Sequence, residues 1–217
     1  TDCDAQLDLA AKNGISPIIG ILTDLAPQWL FQRYPEARVH AVADTKVQTR
    51  TQTPTGNPVY PHYTGASAVG GWPGLSVEHD EARAHGERYI RALINRYKNH
   101  PGMGGYDIVH ELNQYGAAGG CHSPASTERF REWLKQRYGT IEALNQAWYT
   151  YSYTSWDDIE SPRTVGPYPD SLDWALFRID NATRLFKWRV DLIRSLDAKN
   201  AITTHAIPLG LFHSLGP

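Results

Sequence analysis

The chain has 217 residues, 41% of them hydrophobic and 20% charged, with a formal net charge of −2. That is enough for one sizeable core, and no run of one charge sign marks a nucleic-acid surface or a polybasic membrane patch. No apolar stretch approaches the roughly 20 residues of a membrane-spanning helix, and two cysteines, Cys3 and Cys121, are too few for a disulfide framework or a four-cysteine zinc site.

The first residues, "TDCDAQLDLAAKNG", carry no starting Met or signal peptide and read as a helix over 4–13 that ends at Gly14. "ISPIIGIL" follows, a near-continuous apolar run of strand length, which suits a parallel strand buried on both faces, with Pro17 near its start. "TDLAPQWLFQRYPEAR" is then a loop and short helix after that strand's C-terminal end. Residues 39–76 show little periodicity, and an irregular stretch of that length in a compact domain is usually functional or disordered. "EHDEARAHGERYIRALINRYKNHPG" predicts an amphipathic helix, with Tyr89, Ile90, Leu93, Ile94 and Tyr97 on the core face and Pro101–Gly102 as its stop.

A second strand, 105–111, runs into polar residues in "GYDIVHELNQYG". Ser123 as N-cap and Pro124 as first residue open another amphipathic helix, with Phe130, Trp133, Leu134 and Tyr138 inward and Gly139 at its end. "IEALNQAW" is a short helix, 149–170 a second long loop, and 171–197 a long helix with Leu185, Trp188, Leu192 and Leu196 on one stripe. "NAITTHAIPLG" is a third strand, β-branched and apolar. Helix, strand, excursion, repeated in this order, predicts an α/β fold with a parallel sheet and helical crossovers in one domain spanning 1–217.

Each predicted strand ends in polar residues: Thr23 and Asp24, His110 and Glu111, and Thr203, Thr204 and His205. In parallel α/β folds ligands sit at those ends. A carboxyl group at a partly dry strand end has its pKa raised and can serve as a general acid at neutral pH, which is the reading for Glu111; the alternative is a helix cap or salt-bridge role. His110 and His205 are read as hydrogen-bond donors in the cleft, since no HxxxH or HExxH pair points to a metal. Twelve Tyr and seven Trp stand against five Phe. Trp and Tyr offer a flat apolar face with a polar handle, as sugars require. Trp29, Trp148 and Trp156 are the stacking candidates, against the background that most Trp in a domain are core.

"HPGMGGYDIVHELNQYG", "CHSPASTERFREWLKQRYGTIEALNQAW", "WDDIESPR" and "ITTHAIP" resemble glycoside hydrolase family 42, whose members are β-galactosidases on a (β/α)8 TIM barrel. "FREWLKQRYGTIEALNQAW" is the most specific stretch. The resemblance implies an incomplete barrel covering roughly strands three to five. On it, Tyr106 matches the Trp that opens the fourth strand, and His110-Glu111 match the Asn-Glu pair that closes it, which makes Glu111 the acid/base. A rival register places Gln114 of "NQYG" there; the count from Tyr106 favours Glu111.

Two Asn-to-His departures, at His110 and His205, imply a reshaped sugar subsite and put galactose in doubt. Cys121 matches the first cysteine of the family's zinc cluster while Ser123 and Ser126 stand at the next two positions, so neither structural zinc nor any cofactor is expected. The implied activity is retaining hydrolysis of terminal β-linked sugars from a galactoside or oligosaccharide. Glu111 acts as acid/base, Asp24, His110, His205 and the three Trp hold sugar, and the nucleophile is a second Glu outside this chain. The alternative is carbohydrate binding without turnover. No nucleic-acid or membrane partner is expected; oligomeric state and compartment stay open.

Overall fold

The computed structural model describes residues 2–21, 23, 26–37, 75–110, 121–149, 152–162 and 168–205, with backbone only at 109, 110 and 205. In chain order the elements are α1 (Asp2–Lys12), β1 (Ile18–Gly20), α2 (Gln28–Arg33), α3 (Asp80–Tyr97), β2 (Gly105–His110), α4 (Pro124–Tyr138), α5 (Ile141–Trp148), α6 (Pro169–Arg194) and β3 (Ala201–His205). Short 3-10 turns occupy Pro35–Ala37 and Trp156–Asp158.

The three strands form one parallel sheet in the order β1-β2-β3, the arrangement that helical crossovers produce. Ile18, Ile19 and Gly20 pair with Gly105, Tyr106 and Asp107, and Gly105 to Asp107 pair in turn with Ala201 to Thr203. Gly105 is required where it stands: a Cβ there would lie 2.6 Å from the Ala201 carbonyl oxygen. Beyond Asp107 the register shifts, so that His110 pairs with His205 and β2 carries one residue more than β3.

One face of the sheet is covered. Leu7 of α1, Ile90, Ile94 and Tyr97 of α3, and Leu192 and Ile193 of α6 pack on Ile21, Tyr106 and Ile108. The opposite face is open: Ile18 is 53% exposed, and Gly20, Ala201 and Thr203 are exposed too. This corrects the expectation of a strand buried on both sides. The interior of a closed barrel is filled by side chains from its other strands, and three strands are described. β1 is also shorter than the apolar run suggests, beginning directly after Pro17, which has no N–H for a ladder.

Local signals explain the helices. The Ser123 hydroxyl accepts from the Ser126 N–H at 3.2 Å, Pro124 opens α4, and Gly139 ends it at φ +76°. Thr140 caps α5 in the same way. α3 buries Ala82, Ile90, Ile94 and Tyr97, while Tyr89, expected inward, is 49% exposed. Its position leads the apolar stripe by one residue, a 100° turn out of line.

α6 begins at Pro169, two residues before the predicted start, and its 26 residues give a length of about 39 Å. Three cores lie along it. Trp174 and Phe177 join Phe130, Leu134, Leu144, Trp148 and Ile159. Leu185 packs on Leu30, Phe31, Ala37, Leu75 and Val77. Phe186, Trp188, Val190, Leu192, Ile193 and Leu196 reach the sheet. Of the two predicted long loops, the first, 39–76, lies outside the described residues except for its last two. The second, 149–170, contains the Trp156–Asp158 turn, closed by a capping box between Ser155 and Asp158.

Candidate active site

The C-terminal ends of the strands define one end of the sheet. At β1, Thr23 is buried, and its Oγ1 accepts from the Arg189 guanidinium of α6 at 3.1 Å. Gly86 of α3 faces the same threonine: an added Cβ would meet its methyl at 3.5 Å. Gly86 and Arg189 therefore flank Thr23, three residues past the end of β1. At 1.5 Å per residue, the twenty residues of α6 before Arg189 make about 30 Å of helix.

The structure brings His110 and His205 together as register partners at the ends of β2 and β3. The extra residue of β2 falls immediately before them. Bulges are enriched beside active sites because they re-aim the side chains that follow. Glu111 is the next residue in the chain and, with Asp24 and the rival Gln114, lies outside the described residues.

The rim is built by two inserts. One runs from β1 to α3 and holds α2, the turn at 35–37 and residues 75–79. The other runs from β2 to α6 and holds α4, α5 and the turn at 156–158. Trp29, on α2, is 49% exposed and stands edge-on to His85 at 5.1 Å. Burial, with Arg88 and Arg33 nearby, lowers the His85 pKa, which favours the neutral ring. Trp156 is half-buried at the edge of the α4–α6 core.

Trp148 is different: it is 1% exposed, its Nε1 donates to Asp173 at 2.8 Å, and Phe130 and Tyr153 cover the ring. It serves that core, and a buried ring offers no face to a sugar. Asp173 is buried with it and also accepts from the Tyr138 hydroxyl at 2.6 Å.

A family model described as Beta-galactosidase, glycoside hydrolase family 42, matches residues 2–215. The chain belongs to glycoside hydrolase family 42. It is 38% identical over 122 residues to the β-galactosidase BglY of Alicyclobacillus acidocaldarius, a match covering 53% of this chain and 17% of that protein. It is 29% identical over 219 residues to the β-galactosidase BgaA of a Thermus species, covering 98% of this chain and 30% of the relative. A GH42 β-galactosidase from G. stearothermophilus, solved as a catalytic mutant, superimposes with a TM-score of 0.71 at 28% identity, over 94% of this chain and 27% of that one. The chain thus spans less than a third of the length of these relatives. The parallel sheet is part of the family's (β/α)8 barrel.

The serines at the family's cysteine positions are engaged otherwise. Ser123 Oγ lies 3.0 Å from Ser126 Oγ and 3.3 Å from Ser76 Oγ, all three buried. Beside the single thiol of Cys121, neutral hydroxyls tied in a helix cap do not fit a structural zinc ion, which takes thiolate or imidazole. Among the described residues no group of three or more His, Cys, Asp or Glu is placed to hold a metal ion. Nor is any described helix long and apolar enough to cross a membrane.

Sequence reading missed Glu78. It is 5% exposed, and its carboxylate accepts from Asn181 Nδ2 at 2.6 Å and from the Arg184 guanidinium at 2.5 Å. In the sequence it is one of three acidic residues in "EHDE", and no local pattern links it to Asn181 or Arg184.

Proposed function

We propose that this chain carries the acid/base half of a retaining β-galactosidase-type site. The observation that carries the reading is the pairing of His110 with His205 at adjacent strand ends, directly before Glu111, in a family 42 chain. Glu111 protonates the glycosidic oxygen as the aglycone leaves, then takes a proton from the incoming water. A carboxylate about 5 Å away, outside these 217 residues, forms and releases the glycosyl intermediate. His110, His205 and Asp24 hold sugar hydroxyls, and the exposed faces of Trp29 and Trp156 are the stacking surfaces. The substrate is a galactoside or oligosaccharide with a terminal β-linked sugar. Two imidazoles where the family pattern has amides favour a hydroxyl arrangement that differs from galactose in reach.

The test is Glu111→Ala in the full-length protein. Turnover of a natural glycoside should fall by about 10²–10⁴. Azide should restore part of the rate on an activated aryl glycoside, because that leaving group needs no acid and azide needs no base. Unchanged turnover removes Glu111 from the mechanism. The intact mass of the natural protein separates the second reading: a value equal to 24.3 kDa leaves Glu111 without a nucleophile and favours sugar binding without turnover.

A further inference from the structure

The two inserts at the strand ends are separate in sequence, yet one buried carboxylate joins them. Glu78 belongs to the β1–α3 insert. Both of its oxygens are taken by α6, through Asn181 and Arg184, and Arg129 of α4 approaches to 3.9 Å. Arg184 also donates to the side-chain Oδ1 of Asn181, at 3.1 and 2.9 Å, so donors and acceptor hold one another in place. Two residues earlier, the Ser76 N–H donates to Ala37 at 2.7 Å and the Ser76 hydroxyl meets the N-cap of α4. The segment 75–78 is therefore a strap between the α2 module and the α4–α6 module.

The strap's place matters. Arg184 precedes Arg189, the partner of Thr23 just past β1, by five residues on α6, about 7.5 Å along the helix axis. Both inserts that the junction joins follow the C-terminal ends of strands, β1 and β2. A buried carboxylate held by guanidinium and amide donors in fixed geometry gives more rigidity than a fully exposed pair, and removing a donor leaves the buried Glu78 short of a partner.

We propose that Glu78 is a positioning residue: by joining the two inserts it holds them as one wall of the sugar cleft. This rests on the reading of the strand ends as a glycosidase site. The loss of Glu78 loosens the wall, so the bound sugar is less well placed while Glu111 keeps its chemistry.

The experiment compares Glu78→Gln, Asn181→Ala and Arg184→Gln with wild type in the full-length protein, on 4-nitrophenyl β-galactoside and lactose, well below each variant's unfolding midpoint. Glu78→Gln is expected to raise KM about tenfold with kcat of the folded enzyme within about twofold, and the two partner variants to raise KM by about threefold. A purely structural role lowers the folded fraction, which scales the maximal rate and leaves KM unchanged; that result overturns the proposal, as do wild-type constants in all three variants. Should Glu78→Gln fail to fold, the half-exposed partners Asn181 and Arg184 carry the decision. Should wild type bind these sugars without turnover, the activity reading fails by itself, and the same comparison of Kd decides the role of Glu78.

Discussion

Asp197, in the turn between α6 and β3, shows how a single carboxylate is tuned. Burial pushes its pKa up, but hydrogen bonds from the Tyr106 hydroxyl, the Asn200 side chain and the backbone N–H groups of Lys199 and Asn200 outweigh burial and hold it at about 2. A depressed folded-state pKa stabilises the fold above the ordinary aspartate value of about 3.9, and the contribution disappears as pH falls through that range toward 2. The shift corresponds to about 2 kcal/mol at neutral pH. Tyr106→Phe should therefore lower stability by about 1–3 kcal/mol in urea unfolding at pH 7. The deficit should shrink by pH 2.5, where wild type has lost most of that contribution; a pH-independent deficit would mean that ring packing, not the hydroxyl, matters. Trp148→Ala should cost about 3–5 kcal/mol, because it empties a core position and strips Asp173 of a donor. Trp148→Phe should leave KM unchanged, and a raised KM would return that ring to the sugar site.

β2 is the element on which the site depends, and its two ends obey different constraints. At its start, backbones approach too closely for a side chain. A Cβ on Gly104 would lie 2.4 Å from the Ser16 carbonyl oxygen, and one on Gly105 2.6 Å from that of Ala201. Gly105→Ala should spread β2 from β3 and cost about 1–3 kcal/mol by thermal or urea unfolding. Gly14, at φ +68°, meets nothing within 4 Å, so Gly14→Ala should cost only about 1 kcal/mol of backbone strain. Equal losses would contradict this distinction between contact and conformation. At the far end, the inserted residue breaks the alternation of faces, so a count of every second residue from Tyr106 does not carry to His110.

Across the molecule, α6 is the common spine, contributing residues to all three cores. A clamp at the lower end fixes α1 to α3: Asp4 takes two hydrogen bonds from Arg96, at 3.0 and 2.6 Å, and one from the Tyr97 hydroxyl at 2.8 Å. The open sheet face carries a prediction of its own. Ile18→Asp in the 217-residue chain should shift stability by no more than about 0.5 kcal/mol, as for other exposed positions. In a full-length barrel the same change buries an unpaired charge and should be far more costly. Equal effects in both proteins would mean that this face is not barrel interior.

Periodicity and end signals alone determined the element order, the caps at Ser123 and Gly139 and the parallel crossover pattern, because helix faces and capping chemistry are set by residues a few positions apart. The family was legible in "FREWLKQRYGTIEALNQAW", and the strand ends marked where the site lies. The chain's own arrangement in space decided the rest. Trp29 and Trp148 look alike in sequence, and only packing makes one half-exposed and the other a core ring. The uncovered face of β1 depends on which strands surround it, and an apolar run cannot encode that. Glu78 meets Asn181 and Arg184 from more than a hundred residues away. No local pattern reports a contact of that range, since it exists only once α6 has crossed both inserts.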